Sequence, residues 1–233
     1  MAGPIYTPKG KAFEYTGEGN MALNIYTGCP HRCPYCFAPR ILRKTSEKFW
    51  TDVRPRENIV EKVRKQLAGG SITGKRIHLC FVCDPYPTGY DSSATREVIA
   101  LLKEYGNSVQ ILTKGSGRRD FDLLGPNEWY GVTLDGSSKM PIPLDVILTD
   151  LRTAKEKGIH TWVSFEPVID AESVLHLIRE HHSLFDKVKI GKLNYFPSKI
   201  DWKQFGNDVE ALCESVGLEY YIKESLLEEM HKC

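Results

Sequence analysis

The sequence predicts an α/β protein, a partial (β/α)6 TIM-like barrel, on three observations. Short apolar or alternating runs recur along the chain, and a segment with helical spacing of apolar residues follows most of them. Glycine or proline punctuates the joins between them. Six or seven such units in succession imply a parallel sheet with right-handed crossovers. A chain of 233 residues, 41% hydrophobic and 26% charged, suits one domain with a good core. That domain is expected over residues 21–233. Pro4, Pro8, Gly10, Gly17 and Gly19 mark residues 1–20 as an extended N-terminal arm.

The first strand is Ala22-Leu23-Asn24-Ile25-Tyr26, and Gly28 leads from it into a cysteine-rich loop. Arg40, Arg43, Lys44 and Lys48 follow, with Phe49 and Trp50. Such residues could hold a phosphate and stack a base, or form a solvated loop around an anchored tryptophan. Pro55 opens a helix running to about Gly69. Residues 76–83 form an apolar, β-branched and aromatic run, a buried strand that Asp84-Pro85-Tyr86-Pro87 ends sharply. A serine-capped helix spans 92–105 and stops at Gly106. Residues 109–114 make the next strand, ending in Lys114. Residues 129–135 make another, carrying Thr133, a residue type that strands favour for its own sake. A helix over 144–157 closes at Gly158 and leads to a strand over 161–168. There Ser164 and Glu166 alternate with Val163 and Phe165, which in a barrel places both polar groups on one side. A glutamate before a proline also reads as a plain loop carboxylate. Helix 171–181, strand 187–191, helix 202–216 and strand 218–222 complete the chain.

Cys29, Cys33 and Cys36 stand in a Cys-x3-Cys-x2-Cys array on the loop leaving the first strand, where α/β enzymes place their chemistry. Three soft thiolates suit zinc or an iron–sulfur cluster, and the fourth ligand decides between them. His31 would close a very tight loop as that ligand, and no second Cys/His pair follows at a zinc-finger spacing. Three ligands and a vacancy fit better. With Tyr35 just before the last cysteine, the loop resembles the signature of radical S-adenosylmethionine enzymes. The resemblance implies a barrel of the radical SAM type, with a 4Fe-4S cluster on Cys29, Cys33 and Cys36. Its open iron would bind the amino and carboxylate groups of S-adenosyl-L-methionine. The Asp84-Pro85-Tyr86 turn and the Thr113-Lys114 pair resemble the branch related to spore photoproduct lyase. By that resemblance Tyr35, Asp84, Lys114, Thr133, Ser164 and Glu166 approach the cofactor, Lys114 through the methionine carboxylate. The implied chemistry is reductive cleavage to a 5′-deoxyadenosyl radical that takes hydrogen from a substrate. An electron donor such as flavodoxin or ferredoxin would feed the cluster.

The lyase pattern is not complete. Phe37 stands where those lyases carry a tyrosine, and neither Cys80 nor Cys83 falls on their cysteine position. Cys83, beside Asp84, is the candidate redox thiol, although buried cysteines are often passive. The implied substrate is a nucleobase, a nucleotide or a thymine-derived group. A small molecule unrelated to nucleic acid is the alternative, as is a zinc or Fe-S binding module without turnover. A formal charge of +1 and the lack of an extended basic stripe speak against duplex DNA. Seven cysteines, an odd number, and an N-terminus without an apolar signal core predict a reduced, cytoplasmic setting. No apolar run is long enough to span a bilayer.

Overall fold

A computed structural model of the chain describes residues 3–10, 16, 17 and 19–232. Among them eight strands form one sheet whose spatial order is the chain order: β1 Ile5–Tyr6, β2 Met21–Leu23, β3 Arg76–Leu79, β4 Ser108–Thr113, β5 Trp129–Thr133, β6 His160–Phe165, β7 Lys187–Ile190 and β8 Glu219–Ile222. β1 is antiparallel to β2, and the remaining pairings are parallel. This is the expected α/β partial barrel, with seven consecutive parallel strands rather than six and an antiparallel edge strand drawn from the arm. The rest of the arm lies partly outside the described residues.

Eight α-helices cover the described sheet or cap its ends: α1 Ala38–Ile41, α2 Ser46–Thr51, α3 Ile59–Ala68, α4 Ser93–Glu104, α5 Leu144–Glu156, α6 Ala171–His181, α7 Trp202–Ser215 and α8 Glu224–Met230. Each longer helix buries one stripe, as α6 does with Val174, Leu175, Leu177 and Ile178. Asp170 caps α6 by accepting the Ser173 N–H at 2.7 Å, and Asp201 caps α7 through Gln204 N–H at 3.0 Å. No helix among the described residues is long and apolar enough to cross a membrane.

Several expected boundaries move, each for a local reason. The helix expected from Pro55 starts at Ile59, because Pro55 is held in a β-bridge with Tyr26 and Asn58 adopts φ 52°. Ser92 stands at the N-cap of α4 as expected but makes no side-chain cap bond, and Asp91 accepts the Ser93 N–H at 2.9 Å instead. The strand expected over 76–83 ends at Leu79, where Cys80 turns to φ 72°. The first strand stops at Leu23 because Asn24 turns its side chain to other work: its Oδ1 accepts the N–H groups of Phe81 and Val82 at 2.8 and 2.9 Å. The strand expected to run through Glu166 ends at Phe165, so Glu166 lies beyond the pleat rather than on the same strand face as Ser164.

The lower half of the sheet is tightly packed. Trp162, 1% exposed, donates its indole N–H to the Ile111 carbonyl at 2.9 Å. It crosses Gly131, where an added Cβ would lie 2.1 Å from the indole nitrogen. His78 is buried on β3, its ring centroid 4.4 Å from that of Phe81 and 6.4 Å from that of Trp162. At the strand starts a cavity of about 410 Å³ is lined by Arg76, Gln110, Trp129 and Lys189 among others.

Burial, with the nearby Lys189 charge, lowers the His78 pKa from 6.5 to about 3. Between those values the unfolded chain binds the extra proton and the folded one does not. The His78 contribution is therefore intact above pH 6.5 and is lost as pH falls toward 3. Urea unfolding should show a His78-dependent loss of about 2 kcal/mol between about pH 6.5 and 4.5, a slope that His78→Gln removes.

Candidate metal and cofactor site

The polar residues singled out from the sequence gather where the parallel strands end. The cysteine loop is fastened before its first thiol. Thr27 N–H donates to the Arg54 carbonyl at 3.0 Å, Thr27 Oγ1 to the Asp52 carbonyl at 2.7 Å, and Cys29 N–H to the Phe49 carbonyl at 3.1 Å. Lys44 Nζ donates to the Thr27 carbonyl at 2.9 Å. Only glycine fits at position 28, where a Cβ would stand 2.3 Å from the Phe49 carbonyl oxygen and 2.8 Å from that of Asp52. The Cys36 N–H closes a turn onto the Cys33 carbonyl at 3.1 Å.

The basic and aromatic residues after the loop divide between structure and surface. Lys44 ties down Thr27, Phe49 is buried beneath the loop, and the Arg32 guanidinium sits 5.3 Å from the Trp50 ring centroid. Lys44 and Phe49 therefore serve as anchors for the cysteine loop.

Two clamps join the cysteine loop to the strand ends. In the first, His31 Nε2 accepts the Thr88 N–H at 3.2 Å and lies 3.1 Å from Thr88 Oγ1. The ring proton is then on Nδ1, 3.3 Å from Asp84 Oδ2. Asp84 is 7% exposed. Its Oδ1 accepts Tyr86 N–H at 2.8 Å and Thr113 Oγ1–H at 2.5 Å, and its Oδ2 accepts Lys114 N–H at 2.8 Å. In the second clamp the Tyr35 hydroxyl donates to Asp135 Oδ2, which also receives Lys114 Nζ at 2.7 Å. Lys114 Nζ lies 5.5 Å from the Tyr35 ring centroid. Ser137 donates N–H and Oγ–H to Asp135 Oδ1 at 2.9 and 2.7 Å. Burial opposes ionisation of Asp135, but the Lys114 charge and these hydrogen bonds outweigh it and hold the carboxyl below its ordinary range.

Thr133 ends β5 and is paired in register with Ser164 on β6. Ser164 is 1% exposed. Glu166 lies further round the mouth, in an ion pair of 2.9 Å with Lys223 beyond β8. Cys83 stands apart from both clamps: its Sγ accepts the Tyr26 N–H at 3.4 Å, and it packs against the core beside Cys80. Sequence reasoning reaches His31 only as an unfavoured fourth metal ligand and Thr113 only beside Lys114, and it does not mark Asp135 as a site residue. Asp135 closes an expected strand and Thr113 precedes Lys114, but nothing in the local pattern marks either as a partner of the cysteine loop.

Cys29, Cys33 and Cys36 are free thiols, close enough for the charge on one to bear on the others. Burial pushes all three up. Among the described residues no three His, Cys, Asp or Glu side chains converge on one metal ion. Three soft thiols close together on one pinned loop are a donor set that an iron–sulfur cluster takes.

A family model described as the Radical SAM superfamily matches residues 23–181, more than half of the chain. Uncharacterized proteins of Mycobacterium bovis and Mycobacterium tuberculosis are each 33% identical over 122 residues, 48% of this chain and 33% of theirs. The chain thus spans about a third of the length of the curated relatives it matches. A spore photoproduct lyase complexed with dinucleoside spore photoproduct has a TM-score of 0.67 at 12% identity, covering 93% of this chain and 80% of that one. Streptococcus suis SuiB bound to S-adenosylmethionine has a TM-score of 0.65 at 12% identity, covering 94% of this chain and 55% of that one. At such identities the likeness is one of fold.

The close approach at Gly28 makes a testable contrast with Gly125, where an added Cβ meets only the Glu128 carboxylate at 3.6 Å. Gly28→Ala should cost about 1–3 kcal/mol in urea unfolding, as overpacking against fixed backbone does. Gly125→Ala should stay within about 0.5 kcal/mol of the parent.

Proposed function

The chain belongs to the radical SAM superfamily, and from that premise we propose that it is an enzyme acting through a 4Fe-4S cluster held by Cys29, Cys33 and Cys36. When bound, the cluster and S-adenosylmethionine supply an electron and a 5′-deoxyadenosyl radical that abstracts hydrogen from substrate. The chain's own residues hold and orient these partners and keep water from the reacting centre. The observation that carries the reading is the double clamp: His31–Asp84 on one side of the cysteine loop and Tyr35–Asp135–Lys114 on the other. A loop that served only as a structural staple has no need of a largely shielded lysine and two buried carboxylates at neighbouring strand ends.

Within this reading Lys114 receives the methionine carboxylate. Asp84 acts through its neighbours, since its two oxygens are engaged by Tyr86, Thr113 and Lys114 and faced by His31. It fixes the direction of the Lys114 backbone and the His31 ring. Tyr35 shields the cysteine loop and steadies Asp135. Thr133 and Ser164, neighbours across β5 and β6, and Glu166 line the nucleoside side. Cys83 is the redox thiol. The substrate is a nucleobase, a nucleotide or a thymine-derived group, and a flavodoxin or ferredoxin supplies the electron. Duplex DNA is disfavoured by the near-neutral charge. Residues 21–233 constitute the catalytic domain.

Anaerobic reconstitution with iron and sulfide, reduction with dithionite and addition of S-adenosylmethionine should yield 5′-deoxyadenosine from the parent and none from Cys33→Ala. A cofactor-binding titration run alongside separates a missing substrate from a missing site. Retention of zinc with no cofactor binding would overturn the enzyme reading. Lys114→Met should weaken cofactor binding about 10- to 100-fold, the equivalent of one charge-assisted hydrogen bond.

A further inference from the structure

Cys80 and Cys83 bracket a four-residue turn that the cluster and the clamps do not use. The turn is built rather than incidental. Cys80 takes φ 72°, a conformation uncommon for a residue with a side chain, and its N–H is tied to the Leu23 carbonyl at 3.0 Å. The two N–H groups between the cysteines converge on Asn24 Oδ1 at 2.8 and 2.9 Å, folding Phe81 and Val82 about one acceptor. At the far end the Tyr26 N–H donates to Cys83 Sγ at 3.4 Å. Both cysteines are therefore pinned to consecutive parts of one segment, residues 23–26, three positions apart on one turn. Both are free.

We propose that Cys80 and Cys83 form a thiol–disulfide site that exchanges with a low-molecular-weight disulfide of the glutathione class. The Cys83 sulfur attacks one sulfur of the small disulfide, forming a mixed disulfide and releasing one small thiol. The Cys80 sulfur then attacks the Cys83 sulfur and releases the second. The protein loses two hydrogens, which leave on the two small thiols, and one protein S–S bond replaces the S–S bond consumed. Exchange enters at Cys83 because it is the more exposed of the pair, whereas Cys80 is 6% exposed and burial pushes its thiol up. Cys80 is the resolving thiol. Asp84 follows Cys83 directly, so the oxidised ring would stiffen the approach to the carboxylate that holds Thr113 and Lys114 and faces His31.

The pair can be read without any cofactor turnover, because trypsin releases residues 77–96 as one peptide containing only these two cysteines. The full chain, purified anaerobically with whatever metal it carries, is equilibrated in glutathione buffers from reduced to oxidised, quenched in acid, unfolded, alkylated and digested. The expected peptide from the oxidised end carries no alkyl group and is two hydrogens lighter than the dithiol. Cys80→Ser should trap glutathione on Cys83, and Cys83→Ser should leave Cys80 alkylated and free of glutathione. Alkylation of both cysteines at every ratio would overturn the proposal, as would glutathione persisting on Cys83 of the parent, or a link from either cysteine to Cys29, Cys33 or Cys36. None of these results bears on whether the three-cysteine loop holds a cluster, so failure here and failure of the proposed cofactor chemistry are separable.

Discussion

The Asp84 carboxylate is the constraint on which the strand-end architecture depends. It is nearly buried, and a buried carboxylate persists only when its oxygens find donors. The donors come from Tyr86 in its own turn and from Thr113 and Lys114 at the end of β4, while the His31 ring of the cysteine loop faces it at 3.3 Å. Removing the carboxylate would leave a buried hydroxyl and two N–H groups short of an acceptor, each costing about 1–3 kcal/mol. One side chain thus ties the end of β3 to the end of β4 and faces the cysteine loop.

The second clamp has a different character. Lys114 and Asp135 are opposite charges already paired at 2.7 Å, with Tyr35 completing the contact. Both are largely shielded from water, so neither charge is satisfied by solvent if the other is drawn away. A ligand that engages Lys114 with an anionic group must leave Asp135 a substitute cation or donor. The amino and carboxylate groups of a methionine moiety offer both signs within a few bonds, whereas a simple anion offers one. If Lys114 takes the methionine carboxylate as proposed, pairing before binding would favour a zwitterion over a simple anion.

The fold was legible because it is carried by apolar periodicity. The apolar runs and helical stripes located every parallel strand and the five longer helices, α6 to the residue. What escaped was decided by polar contacts between distant segments. β1 is two residues long and exists only through its register with β2. The Cys80 turn looked like strand because Cys80-Phe81-Val82-Cys83 is apolar, and only the position of Asn24 folds it back. In the site, the cysteines announced themselves by spacing. Asp135 did not, because an aspartate ending a strand is an ordinary turn residue until a tyrosine one hundred positions away is placed against it.

The cysteine loop owes its shape to backbone hydrogen bonds and one missing Cβ more than to apolar packing. Arg54, Asp52 and Phe49 present carbonyls to Thr27 and Cys29, and Gly28 is the residue that lets those carbonyls approach. Such contacts are short and directional, so they fix the loop without surrounding it, and Cys29, Cys33 and Cys36 stay only partly buried. A loop held by apolar cover would have to shed that cover to admit a cluster. A loop held from beneath keeps its outer face open while its thiols remain in place, and the ordering cost is met in folding rather than in loading. The short helix α2, which carries little of the core, therefore has its use in fastening the one segment that must be both rigid and accessible.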